Sequence, residues 1–229
     1  MQSEKTSIEK TEVEKSTASF FERSFDAFIV RYVEPKIPQS IQPNQITFVG
    51  FGFGMLAAIA LYLTGVNRAW AWVAVISLIF NTFADSLDGA VARARSLTSQ
   101  RGFLLDHLLD QLIFVALFLS VGFSDYALLP IAVMGAIVAN LHLILEMYWI
   151  HLKNKFPLPL LGPIEVRATA MVLIILTFFW DGPVLTLREI PFGWFDVVNA
   201  ITLPLSFTEF CSSALKLYQE LDGPKGEPS

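Results

Sequence analysis

Cysteine is almost absent: Cys211 stands alone among 229 residues, which excludes both an intrachain disulfide and a cysteine-built metal cluster. A single thiol inside an apolar run reads as a small hydrophobic residue. Charge is scarce as well. Only 16% of residues are charged against 54% hydrophobic, and the mean hydropathy is +0.54, a balance that excludes an ordinary soluble domain. The net charge of -5 is modest and comes largely from glutamates in the polar ends, so it points to neither nucleic-acid binding nor an acidic interaction tail. There is no internal repeat, and no low-complexity stretch beyond residues 1–18. Those residues are rich in Lys, Glu, Ser and Thr and lack the apolar core of a signal peptide. They read as a disordered cytoplasmic tail.

What the chain has in abundance is long apolar runs. Six occur, at about residues 46–65, 69–92, 102–123, 126–150, 164–180 and 192–217, each near the ~20 residues that a helix needs to cross a bilayer. They predict an all-α fold, a polytopic membrane bundle of six transmembrane helices. Ahead of them, between Ser19 and Val33, Phe21, Phe25, Phe28 and Tyr32 recur on one helical face. Glu22, Arg23 and Asp26 intervene, so this helix is amphipathic and either lies in the membrane interface or packs on the protein itself. Pro35, Pro38 and Pro43 punctuate a linker. The chain thus divides into a tail (1–18), an interfacial helix and linker (19–43), a six-span domain (44–217) and a second tail (218–229). Of the 16 Lys and Arg residues, only Arg68 and Arg188 fall on the side away from the termini. By the positive-inside rule both termini, and the loop after the second run, are cytoplasmic. Trp70, Trp72, Trp149, Trp180 and Trp194 stand near the ends of the runs, as interfacial aromatics do.

Acidic residues are conspicuous where the second run ends and the third begins. Asp85 and Asp88 share one helical face, and Asp106 and Asp110 share another. Packing of the two helices would bring four carboxylates together, and their mutual repulsion would amount to several kcal/mol. Ionisable groups in apolar helices mark function by default, and a divalent cation, or two, is the simplest remedy for such repulsion.

The residues involved are Asp85-Ser86-Leu87-Asp88-Gly89-Ala90-Val91-Ala92-Arg93, eight intervening residues, then Gly102-Phe103-Leu104-Leu105-Asp106-His107-Leu108-Leu109-Asp110. This stretch resembles the signature of the CDP-alcohol phosphotransferases, D-x2-D-G-x2-A-R-x8-G-x3-D-x3-D, at every fixed position. Pro43-Asn44-Gln45-Ile46-Thr47, just before the first span, is similar to a segment common in that family. The resemblance implies an enzyme of phospholipid synthesis that transfers a substituted phosphate from a CDP-alcohol to an acceptor hydroxyl, with CMP leaving. It also implies metal ligation by Asp85, Asp88, Asp106 and Asp110, with Asp110 as the usual base, and a homodimer. Asp106-His107, and Gly162-Pro163-Ile164-Glu165 with Ile where the family's choline and ethanolamine branch has Thr, tilt the donor towards CDP-choline or CDP-ethanolamine and the acceptor towards diacylglycerol. CDP-diacylglycerol with a polar alcohol is the alternative.

Residue chemistry fills in the rest. Carboxylate oxygens suit Mg2+ or Mn2+, and a pair of such ions can clamp a diphosphate. Gly89 and Gly102 lack side chains and would let a nucleotide approach, while the Arg93 fork matches phosphate oxygens. His107, with its ordinary titration near neutrality, competes with Asp110 for the role of base. Glu165 and Arg167, at the start of the fifth run, are candidates for a head-group pocket. His142 and Glu146 share a face of the fourth run and either line a cavity or pair. Two other classes fit less well. An intramembrane polyprenyltransferase would hold its aspartate motifs further apart in a longer chain, and a divalent-cation transporter would line a path near the midplane, whereas Asp85 and Asp110 fall near the cytoplasmic ends of their helices and Arg93 would repel the ion.

Overall fold

The computed structural model describes residues 20–153, 163–180 and 182–222. It is mostly helical, with seven α-helices among the described residues: α1 (Phe20–Phe28), α2 (Pro43–Leu63), α3 (Trp70–Ala94), α4 (Gln100–Gly122), α5 (Leu129–Lys153), α6 (Pro163–Phe179) and α7 (Trp194–Asp222). The expected tail over 1–18 and the residues after Asp222 lie outside this range, as does Gly162 of the Gly-Pro-Ile-Glu segment.

Four helices, α2 to α5, are long and apolar enough to cross a membrane. Their outer faces carry large exposed hydrophobics such as Phe48, Ile59, Ile76, Leu112 and Ile137, which a water-soluble surface does not tolerate in such number. The fifth and sixth apolar runs are helices too. However, α6 has 17 residues, short of a full span, and α7 is interrupted by Pro204 and diluted by Asn199, Glu209 and several Ser and Thr residues. Six crossings were expected, and the fold supports four by length and composition. An antiparallel hairpin, β1 (Leu185–Leu187) and β2 (Ile190–Phe192), joins α6 to α7. Its two-residue turn, Arg188-Glu189, has both φ values positive, the conformation that matches the twist of paired strands.

Local chemistry explains the helix limits that matter for the site. α2 begins with Pro43 at its first position and a reciprocal cap between Gln42 and Gln45, which satisfies orphan backbone donors. α4 begins at Ser99, whose Oγ accepts from the Gly102 N–H at 3.0 Å. α3 ends with Leu97 N–H bonded to Ala92 O and Ser96 N–H bonded to Arg93 O, a Schellman closure. The left-handed position in that closure is Ser96, at φ 54°.

The central packing unit is α2 against α3. A Cβ on Gly50 would lie 2.9 Å from the Ala84 Cβ, so the glycine permits the close crossing. Asn81 Nδ2 donates to Gly50 O at 3.1 Å, and Phe53 stacks on Phe80 with centroids 5.0 Å apart. At the far end of the bundle, buried Asp196 accepts from Leu128 N–H and Gly193 N–H, tying α7 to the start of α5.

The N-terminal segment packs on α3. Ile29 is fully buried and joins Leu87, Ala90 and Val91 in one apolar cluster, and Phe25 meets Phe83 edge-on at 6.4 Å. Phe28 and Tyr32 point outward and are about half exposed. The apolar stripe expected from periodicity is therefore divided: Phe25 and Ile29, four residues apart, face α3, while Phe28 and Tyr32 face outward, and the helix widens into a π-helical turn over Ile29–Val33. Arg95 clamps the linker that follows: its guanidinium donates to the carbonyls of Ile37, Pro38 and Ile41 and lies 3.7 Å from Glu34.

Candidate active site

The signature residues occupy the second half of α3 and the first half of α4, at the same end of the bundle as the linker and the start of α6. Asp85, Asp88 and Asp106 line one small cavity of about 10 Å³ together with Thr47, Asn81, Gly50, Phe51, Leu109 and Ile113. That volume holds roughly one water molecule. A larger cavity of about 710 Å³ lies at the opposite end, between the α2–α3 loop, the α4–α5 loop and the hairpin. The acid-lined cavity is the stronger candidate for chemistry despite its size, because three carboxylates converge on it.

Each carboxylate has a distinct environment. Asp88 is 6% exposed and its Oδ2 accepts the Thr47 hydroxyl at 2.5 Å. Asp85 and Asp110 are joined by Arg167 of α6, whose Nη1 donates to Asp85 Oδ2 at 2.5 Å while its Nη2 donates to both oxygens of Asp110 at 2.8 Å. Asp106 lies beside His107, with its Oδ2 3.7 Å from His107 Nδ1, beyond a hydrogen bond. His107 Nδ1 instead donates to Phe103 O at 3.0 Å, and the ring lies tilted against Phe103 with centroids 4.0 Å apart. In that tautomer Nε2 carries the lone pair that would take a proton.

The remaining residues fall around this core. Arg93 lies over Gly89, where a Cβ would meet its Nη1 at 3.0 Å, and its Nη2 is 3.5 Å from Asp26 of α1. Gly102 packs against Ser99 and Asn44, joining the start of α4 to the start of α2. Glu165 has one carboxylate oxygen, Oε2, buried without a hydrogen-bond partner, whereas Arg167 is 3% exposed and bound to the acids. His142 donates from Nδ1 to Val138 O and sits against Phe210.

Two contributors escaped the sequence reading. Thr47 was visible only as part of the Pro-Asn-x-Ile-Thr segment. Asn81 is one turn before Asp85 on the same face, 2% exposed, and its Oδ1 has no partner while Nδ2 is used on Gly50. The helical spacing of Asn81, Asp85 and Asp88 was the available signal.

Among the described residues no three acidic, histidine or cysteine side chains surround one point at ligand distance. The donor set nevertheless fits a hard divalent cation. Three carboxylates, a hydroxyl and an orphaned amide oxygen border one cavity, with no sulfur ligand among them, the composition that Mg2+ and Mn2+ favour over zinc.

Comparison with known proteins gives the family. Residues 40–207 match the family model for CDP-alcohol phosphatidyltransferases, and the chain belongs to that family, one of phosphotransferases. Its relatives include an archaetidylinositol phosphate synthase of Pyrococcus horikoshii, 42% identical over 72 residues, which are 31% of this chain and 36% of that protein. A bifunctional IPC transferase and DIPP synthase of Aquifex aeolicus is 30% identical over 102 residues, 44% of this chain and 22% of that protein. The inner membrane protein YnjF of Escherichia coli is 42% identical over 64 residues, 28% of this chain and 29% of that protein. The chain thus matches between about a fifth and a third of the length of these relatives. Four apolar helices and a membrane-protein relative mark it as a multi-pass membrane protein.

Proposed function

We propose that this protein catalyses transfer of a substituted phosphate from a CDP-alcohol to the hydroxyl of an acceptor alcohol. The acceptor oxygen forms a bond to the β-phosphorus, the bond from that phosphorus to the bridging oxygen breaks, and CMP departs with the bridging oxygen. The observation that carries the reading is the shared cavity of Asp85, Asp88 and Asp106, on a signature whose every fixed position is present.

In this reading Asp85, Asp88, Asp106 and Asp110 hold one or two divalent ions, Mg2+ or Mn2+, which when bound neutralise the diphosphate and make the phosphorus more electrophilic. Arg93 meets the phosphate oxygens with its planar fork, which lies over the bare backbone of Gly89, and the cytidine nucleotide approaches at Gly89 and Gly102 by displacing the side-chain ends that cover them. Thr47 orients Asp88. The acceptor proton passes to Asp110 or to His107 Nε2, and the free lone pair of the histidine favours the second. Glu165, with a buried unpaired oxygen, suits a cationic head group and supports CDP-choline or CDP-ethanolamine as donor with diacylglycerol as acceptor.

A second reading, a CDP-diacylglycerol-type donor with a polar alcohol acceptor, is favoured by the names of the Pyrococcus and Aquifex relatives. The proposal includes six crossings, with α6 and α7 completing the bundle, a cytoplasmic site, and a homodimer that covers part of the exposed apolar surface. The experiment is CMP release by purified protein in Mg2+, with the three CDP-alcohols crossed against diacylglycerol and polar alcohols and the products weighed. Release that requires one donor and one hydroxyl acceptor is expected. No release with any pair, or cation flux in its place, would overturn the reading.

A further inference from the structure

Arg167 is a buried charge held between two helices. Its side chain is 2% exposed, and its guanidinium carbon lies 5.9 Å from the centroid of the Phe114 ring. Its fork spans two helices, one arm on Asp85 of α3 and the other on both oxygens of Asp110 of α4. Only a planar, permanently charged group can bridge two carboxylates in this way; a lysine ammonium is a point charge and would satisfy one of them. The arrangement also has a steric and electronic consequence. With both Asp110 oxygens accepting from Nη2, one lone pair on each is left, so a cation beside Asp106 has to compete with the guanidinium for the charge of Asp110.

We propose that Arg167 is the resident counter-ion of the acid cluster: it holds Asp85 and Asp110 in register before a divalent cation binds, and it yields Asp110 when one does. The inference rests on the metal-dependent reading above and makes Arg167 a positioning residue whose charge sets the affinity of the cluster for cations. Four carboxylates and one guanidinium leave a net charge of three negative, so a dication is still attracted, but less strongly than by the acids alone. Removal of Arg167 leaves two partly buried carboxylates without their counter-ion, which destabilises the fold until another cation replaces it.

The test uses the full chain in detergent and reads Mn2+ binding from the loss of the free-ion paramagnetic signal, alongside the thermal midpoint in EDTA and in saturating Mn2+. Wild type, Arg167→Gln, Arg167→Lys and Asp106→Asn are compared. Arg167→Gln is expected to bind Mn2+ roughly tenfold to a hundredfold more tightly, to unfold at lower temperature in EDTA, and to regain the wild-type midpoint in Mn2+. Arg167→Lys, which keeps charge and loses the fork, should fall between the two. If Arg167→Gln fails to fold even in Mn2+, the lysine variant decides by the same comparison. Unchanged or weaker Mn2+ affinity, with an unchanged midpoint in EDTA, would overturn the inference alone, provided wild type binds Mn2+ and Asp106→Asn does not. Absence of Asp106-dependent Mn2+ binding in wild type would overturn the metal reading itself.

Discussion

Thr47→Val tests how the first long helix supports the acid cluster. Valine keeps the shape of threonine and removes the hydroxyl, which donates to Asp88 Oδ2 at 2.5 Å from the opposite helix. Asp88 is 6% exposed, so water cannot readily replace the lost donor. A hydrogen bond to a charged group contributes about 1.5–3 kcal/mol, and for a chain of this size each kcal/mol moves the thermal midpoint by about 2–4 °C. The expected drop is therefore roughly 3–12 °C, read by differential scanning fluorimetry in detergent and EDTA. A double cycle with Asp88→Asn separates the pair from its surroundings: most of the loss should vanish when Asp88 is already neutral. The same hydroxyl lies 3.2 Å from Pro43 O and shares its one proton between that carbonyl and Asp88, so a smaller, local loss remains when Asp88 is already neutral. A midpoint within about 1 °C of wild type, well below that scale, or an equal loss in the Asp88→Asn background, would refute the reasoning.

Three further outcomes are expected. Arg95→Gln removes the guanidinium that gathers the carbonyls of Ile37, Pro38 and Ile41, so limited proteolysis should cut the 34–42 linker faster while α2 to α5 stay protected; unchanged cleavage would count against the clamp. Ser96→Gly relieves the left-handed strain at φ 54° and should stabilise the protein by about 0.5–1 kcal/mol, with a lowered midpoint as the contrary result. His107→Ala should reduce kcat by roughly a hundredfold at unchanged KM for the CDP-alcohol if Nε2 takes the acceptor proton, and only slightly if Asp110 does.

The acids were legible because their spacing is helical: residues three and four apart must share a face whatever the rest of the chain does, so Asp85 with Asp88 and Asp106 with Asp110 could be paired on paper. Arg167 illustrates what spacing cannot carry. It stands 82 positions from Asp85, and no periodicity links an arginine at the start of one helix to carboxylates on two others. Placed with Glu165 as a head-group candidate, it proves to be bound to the acids, while Glu165 keeps one buried oxygen unpaired. Asn81 was hidden for a different reason, since an amide in an apolar run has no formal charge to betray it. The long apolar runs predicted helices in the right places, but composition could not say how many cross a membrane, and the 17-residue α6 is where that ambiguity resides. The hairpin after it escaped notice because its turn uses Arg188-Glu189 rather than the Asn-Gly or Asp-Gly pairs that announce such turns.

The most direct measurement is CMP release from the preferred CDP-alcohol, with acceptor and Mg2+ present, by wild type, Asp85→Asn and Asp106→Asn. Wild type should turn over, and each variant should fall to background while remaining folded by size exclusion, because each loses an oxygen from the cavity that cations and diphosphate share. Near-normal release by either variant would contradict the account.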